Sequence, residues 1–132
     1  MNIITIQHTE SEHHLNGMVG SRTDWLLTSK GEEDIKIISN NLKNDLSNND
    51  IIIFTSPLRR ANDGACLIAE IIKTKNVIID DRLNQLDLGD AVGKTLKWLK
   101  ENNQSQEITL YSRAFENAEN NSEVWDRIYS FY

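Results

Sequence analysis

Two residue types in this chain have the means and the placement to do chemistry. His8 follows an apolar run at residues 3–6 with only Gln7 between, and Arg59 and Arg60 follow a Ser56-Pro57 step. A third polar cluster, Asp80, Asp81, Arg82 and Gln85, follows the run at residues 77–79. A neutral imidazole offers a lone pair for attack or for a proton. A guanidinium holds an anion through forked, charge-assisted hydrogen bonds. Arg60 sits where a helix is expected to open, and a helix N-terminus disfavours a cation. That placement implies a nearby anion. His13 and His14 join His8 in a histidine-rich stretch, but no carboxylate or cysteine pattern at ligand spacing completes a metal site. No G-x-G-x-x-G or G-K-[ST] occurs either. Neither a metal nor any other cofactor is expected.

The elements that must position these groups can be read from periodicity. Residues 3–6, 51–54 and 77–79 are short apolar runs, the pattern of buried parallel strands. In open parallel sheets, ligands bind beyond the carboxyl ends of the strands. The three polar clusters are therefore expected to converge. Residues 7–27 read as irregular, broken by Gly17 and Gly20. Thr28 is placed to cap a helix with Glu32 and Glu33 in its first turn. Ile35, Ile38, Leu42 and Leu46 make that helix's apolar stripe. Ser56-Pro57 predicts a second helix, a hydroxyl cap followed by proline at the first helical position. Ala61, Ala65, Ile68 and Ile72 line its inner face. Residues 92–101 and 122–132 read as two further helices. The alternation indicates an α/β protein, three layers deep, with a mostly parallel sheet.

Size and charge narrow the field. The chain has 132 residues, read as one domain over 1–132. Its net charge is −6, from 20 acidic and 14 basic residues. This argues against nucleic acid as a partner. It also means that a local cationic cluster must hold any anionic ligand, because the overall field repels it. No apolar run approaches the roughly 20 residues of a membrane helix, and the N-terminus lacks the basic start and long apolar stretch of a secretion signal. Cys66 is the sole cysteine. It excludes an internal disulfide, suggests a cytoplasmic location and is read as a core residue. Asp80, Asp81, Asp87 and Asp90 are read as turn and cap residues.

The stretch His8-Thr9-Glu10-Ser11-Glu12, followed by Leu15, Gly17, Thr23-Asp24, Leu27-Thr28 and Gly31, resembles the opening of histidine phosphatases. That opening reads R-H-G-E-T-E-W-N-L-E-G, then T-D, L-T and G. The run from Thr55 through Ser56, Pro57, Leu58 and Arg60 to Ala61 is similar to the family's S-S-P-L-x-R-A turn. The run from Asp81 to Asp90, with Gly93, is similar to its D-x-L-x-E-x-x-F-G-x-x-x-G segment. The resemblance implies a phosphoglycerate mutase-like fold. It covers only the first two-thirds of a typical domain, so the domain reads as incomplete, truncated at its C-terminus. It also implies that His8 attacks phosphorus to form a phosphohistidine and that Arg60 clamps the phosphoryl oxygens, with Arg59 a variable, solvent-facing neighbour. The family also has a second histidine on a late strand, and the resemblance ends at Tyr132, before the segment where it would appear.

Departures from the pattern fall on polar positions. Gln7 stands where the family has arginine, a loss worth roughly 2–4 kcal/mol of transition-state stabilisation. His14 replaces an asparagine, and Thr9 a glycine. Gln85 occupies the place of the proton-donating glutamate, and loss of a general acid costs about 10²–10⁴ in rate. The expected catalytic positions are thus His8, Arg60 and Gln85. Gln7, Glu10, His14 and Arg22 are expected ligand contacts. The expected function is phosphomonoester hydrolysis or phosphoryl transfer with activity weak or lost. A phosphatase-like protein that binds an anion without turning it over is the alternative, and a decayed copy without activity is the third reading. The ligand would be a phosphorylated small molecule or an inorganic anion. Val124, Trp125, Ile128, Tyr129, Phe131 and Tyr132 make the last helix apolar around much of its girth, which fits packing on the core or, as the alternative, on another subunit in a homodimer.

Overall fold

In the computed structural model, the structure describes residues 3–46, 50–102 and 109–132. Its centre is a β-α-β unit. Strand β1 (Ile53–Thr55) and strand β2 (Val77–Ile79) pair in parallel, with Ile53 opposite Val77 and Thr55 opposite Ile79. Parallel neighbours need a crossover, and helix α3 (Arg59–Ile72) supplies it. Ahead of this unit lie the short helix α1 (Glu12–Asn16) and the long helix α2 (Ser29–Leu46). Beyond it come a 3₁₀ turn at Asp81–Leu83, another at Gly89–Ala91, then α4 (Leu96–Asn102) and α5 (Asn121–Phe131). The mixed α/β class with a parallel sheet is the one the sequence indicates.

Helix α2 packs along α3, and its stripe explains why. Ile35 is buried at 1% exposure, with Leu27, Ala65 and Ile68 buried nearby in the core. Thr28 Oγ1 accepts from Gly31 N at 3.0 Å, the cap expected from the sequence. Asn120 and Glu123 cap α5 reciprocally: Asn120 Oδ1 accepts from Glu123 N at 2.9 Å, and Glu123 Oε2 accepts from Asn120 N at 3.0 Å. Among the described residues, no helix is long and apolar enough to cross a membrane.

Several expectations are corrected. Residues 3–6 do not form a strand; Ile3 is 58% exposed and Ile4 50%. A strand exists only as part of a ladder, and among the described residues no backbone bond pairs this run with a neighbour. The second strand begins at Ile53 and includes Thr55, rather than covering 51–54. Helix α1 arises inside a stretch expected to be irregular. It is too short and polar to show a stripe, and it ends at Gly17, whose φ of 62° is the left-handed cap glycine supplies at little cost. Helix α3 starts at Arg59, not Pro57. Its first amide is capped from a distance, Arg59 N donating to Asp24 Oδ1 at 3.0 Å. Cys66 is exposed on α3 rather than buried.

On the sheet, Phe54 and Ile78 are paired in register and remain 47% and 44% exposed. The Phe131 ring of α5 stands edge-on to Phe54, centroids 5.1 Å apart.

Candidate active site

Helix α2 anchors the segment that carries His8. Thr9 Oγ1 donates to Gly31 O at 2.7 Å, and Thr28 N donates to Glu10 O at 3.1 Å. Thr28 Oγ1 also donates to Glu10 Oε1 at 2.7 Å. The two backbones come so close that a Cβ on Gly31 would lie 2.0 Å from Glu10 O. Only glycine fits there, which gives the final glycine of the first motif a physical role.

Two hydrogen bonds fix the state of His8. Its Nδ1 lies 2.9 Å from Thr9 O. A carbonyl only accepts, so Nδ1 carries the proton. Nε2 then holds the lone pair, and it accepts from Arg60 Nε at 3.3 Å. Burial lowers the His8 pKa below its usual 6.5; the Thr9 bond opposes this, and the charges of Arg60 and His14 reinforce it. The imidazole is therefore neutral near pH 7, with its lone pair on Nε2.

Arg60 is 1% exposed. Nη1 donates to Thr23 O at 2.6 Å, and Nη2 donates to Ser21 O and to Gln85 Oε1, each at 2.6 Å. All these partners are neutral. Burial pulls the guanidinium pKa down while the Asp24 carboxylate pulls it up. Asp24 thus supplies part of the anionic surroundings that an arginine at a helix start requires. Ser21, not anticipated from the sequence, ties this arrangement together. Its hydroxyl donates to Leu86 O at 2.8 Å and accepts from Leu88 N at 3.0 Å, which holds the Gln85 loop beside Arg60. A serine between Gly20 and Arg22 carries no signal of that role.

The remaining expected contacts divide. His14 Nδ1 accepts from Ser11 N at 3.0 Å, so a neutral His14 bears its proton on Nε2 as a donor. Its ring centroid lies 5.8 Å from that of His8. Glu10 is turned to Thr28, and Gln7 is exposed. Arg22 spends its charge on Glu119 at 2.8 Å and Asp87 at 3.6 Å. Asp80 and Asp87 are the turn caps expected, accepting from Arg82 N and Gly89 N at 2.9 Å each.

His13 has a structural consequence of its own. It is buried, with Nδ1 2.7 Å from Ser11 Oγ and its ring 3.9 Å from that of His14. Burial first, then the charges of His14, Arg60 and His8, lowers its pKa from 6.5 to about 4. Below pH 6.5 the unfolded chain takes up this proton, while the folded chain resists until about pH 4. Stability is therefore full above pH 6.5 and falls through that window, by about 1–3 kcal/mol. Denaturant midpoints at pH 7 and pH 4.5 check this, and the pH dependence should be shallower in His13→Asn.

An α/β unit that sets an imidazole lone pair against a buried guanidinium has the makings of an anion-handling centre. The chain belongs to the histidine phosphatase superfamily (branch 1), whose family model matches residues 3–132. It is 30% identical over 90 residues to putative phosphoserine phosphatase 2 of Hydrogenobacter thermophilus, covering 67% of this chain and 42% of that protein. Mycobacterial glucosyl-3-phosphoglycerate phosphatase superposes with a TM-score of 0.78 at 21% identity, over 94% of this chain and 58% of the other. The α-ribazole phosphatase of Shigella flexneri gives 0.76 at 22% identity, over 94% and 61%. The mycobacterial enzyme has also been solved with inorganic phosphate; that structure matches with a TM-score of 0.74 at 20% identity, over 94% and 57%. The chain thus spans between two-fifths and about three-fifths of the length of these relatives.

Proposed function

We propose that this chain is a slow phosphomonoester hydrolase that works through a phosphohistidine at His8. The observation that carries this reading is the short path from a neutral, oriented Nε2 to the buried Arg60 guanidinium, 3.3 Å away. In the reaction, the Nε2 lone pair attacks phosphorus and the bond from phosphorus to the ester oxygen breaks. The departing oxygen takes its proton from water. A water molecule then attacks phosphorus and gives a proton to the hydroxide left by the first step, the P–N bond breaks, and phosphate and neutral His8 are released. Arg60, freed from Nε2, holds the phosphoryl oxygens as charge spreads over them. Gln85 and His14 stand at the edge of the site as further hydrogen-bond donors.

Samples reacted with an aryl phosphate radiolabelled in its phosphoryl group and denatured in alkaline detergent, which spares the acid-labile P–N bond, test this. Wild type is expected to show label bound as phosphohistidine and slow release of phosphate. His8→Ala should show neither; equal turnover in both would overturn the reading.

A second reading, in which the site binds an anion without turnover, draws support from Gln85. Its Oε1 accepts from Arg60 at 2.6 Å, and an amide has no titratable proton to give. Phosphate binding without any label on His8 would favour it. The homodimer belongs to the same proposal, supported by Trp125, Tyr129 and Tyr132 at 72%, 75% and 84% exposure on the last helix and its end. A cytoplasmic location is likewise proposed, supported by the single, exposed Cys66.

A further inference from the structure

A cavity of about 250 Å³ lies beside the His8–Arg60 pair. Its walls include Met18, Val19, Leu88, Leu96 and Leu99, while His13, His14, Ser21 and Gln85 form its polar side. Two of these also belong to the surroundings of the phosphoryl site. Gln85 bonds Arg60, and the His14 ring lies 5.8 Å from that of His8. His14 and Gln85 therefore border both the cavity and the His8–Arg60 pair.

Backbone bonds build the walls. Val19 N donates to Lys94 O at 2.9 Å, and Leu96 N donates to Gly17 O at 2.8 Å. These bonds pin the start of α4, with Leu96 and Leu99, against residues 17–19. Ser21 Oγ holds Leu86 O and Leu88 N, fixing the third wall. Three segments distant in sequence are thus locked around one hollow.

The lining has a definite chemistry. It contains no lysine and no arginine, so no ammonium or guanidinium meets a carboxylate or a second phosphate on the ligand, and its polar side chains are confined to His13, His14, Ser21 and Gln85. Its aliphatic side chains offer no partners to hydroxyl groups, and a hydroxyl buried unpaired costs about 1–3 kcal/mol. An aliphatic cavity of roughly 150 Å³ accommodates benzene, so the space here suits one ring with a substituent.

We propose that this cavity receives the leaving group of the phosphomonoester, and that this group is compact and apolar, an aromatic ring or a branched alkyl chain. The proposal rests on the His8–Arg60 reading and names the substrate class for it. A polyol or an acid-bearing group is disfavoured there.

Calorimetric titration with inorganic phosphate, methylphosphonate and phenylphosphonate separates the two claims. Phenylphosphonate is expected to bind at least about tenfold more tightly than methylphosphonate, from the apolar area its ring buries. In Leu99→Asp, or in Met18→Ser should the first fail to fold, that ratio should fall to near one. If phosphate binds and the two phosphonates bind equally, the leaving-group site is overturned and the anion site stands. Should none of the three bind, both readings fail together.

Discussion

Replacing Arg60 by alanine is expected to lower the unfolding free energy by about 3–5 kcal/mol and to remove phosphoryl transfer. The side chain is 1% exposed and donates to Thr23 O, Ser21 O, Gln85 Oε1 and His8 Nε2. Truncation leaves a cavity, two buried carbonyls without their donor, and a His8 lone pair without its partner. Loss of one donor aimed at developing charge already costs about 10²–10³ in kcat. Denaturant unfolding reads the first effect and aryl phosphate turnover the second. Arg60→Lys keeps the charge but not the fork. It should fold more stably than Arg60→Ala and bind phosphate more weakly than wild type, which keeps the prediction testable if the alanine variant is insoluble. A fully stable, fully active Arg60→Ala would contradict this account of the site.

Gln85→Glu is expected to raise kcat by about 10²-fold, the lower end of what a general acid supplies. The position already meets Arg60 at 2.6 Å through Oε1, and a carboxylate oxygen can keep that bond. In the free protein, the neighbouring guanidinium would hold the new carboxyl ionised. A bound phosphoryl dianion neutralises Arg60 and raises the carboxyl pKa, so the proton is present when it is needed. Two signatures follow. The gain should be larger for alkyl phosphates, whose leaving oxygen requires protonation, than for activated aryl phosphates. The activity of the variant should also fall as pH rises through the pKa of the new carboxyl, a limb absent from wild type. An unchanged kcat across both substrate types would show that proton donation does not limit the rate.

How much of this was legible in the sequence varies with the physics involved. The α2 stripe with its Thr28 cap, and β2 at Val77–Ile79, follow from local periodicity and capping, and both appear where expected. The meeting of His8 and Arg60 across 52 residues was expected from the parallel-sheet rule together with motif order, since no local rule brings them together. The run at residues 3–6 misleads because apolarity reports a wish for burial and says nothing of a partner strand. The start of α3 shifted because Asp24, 35 residues away, supplies the cap that Ser56 was expected to give. Arg22 was expected to contact the ligand, yet Glu119 and Asp87 take up its charge. Ser21 is invisible to pattern reading, because its role comes from hydrogen bonds to residues 65 and 67 positions away.

A crystal structure of the chain with vanadate bears most directly on the chemistry assigned to His8. The expected density shows vanadium bonded to His8 Nε2, with its oxygens accepting from Arg60 and the Nδ1 bond to Thr9 O retained. An oxyanion bound elsewhere, with Arg60 Nε still donating to an unmodified His8 Nε2, would contradict it.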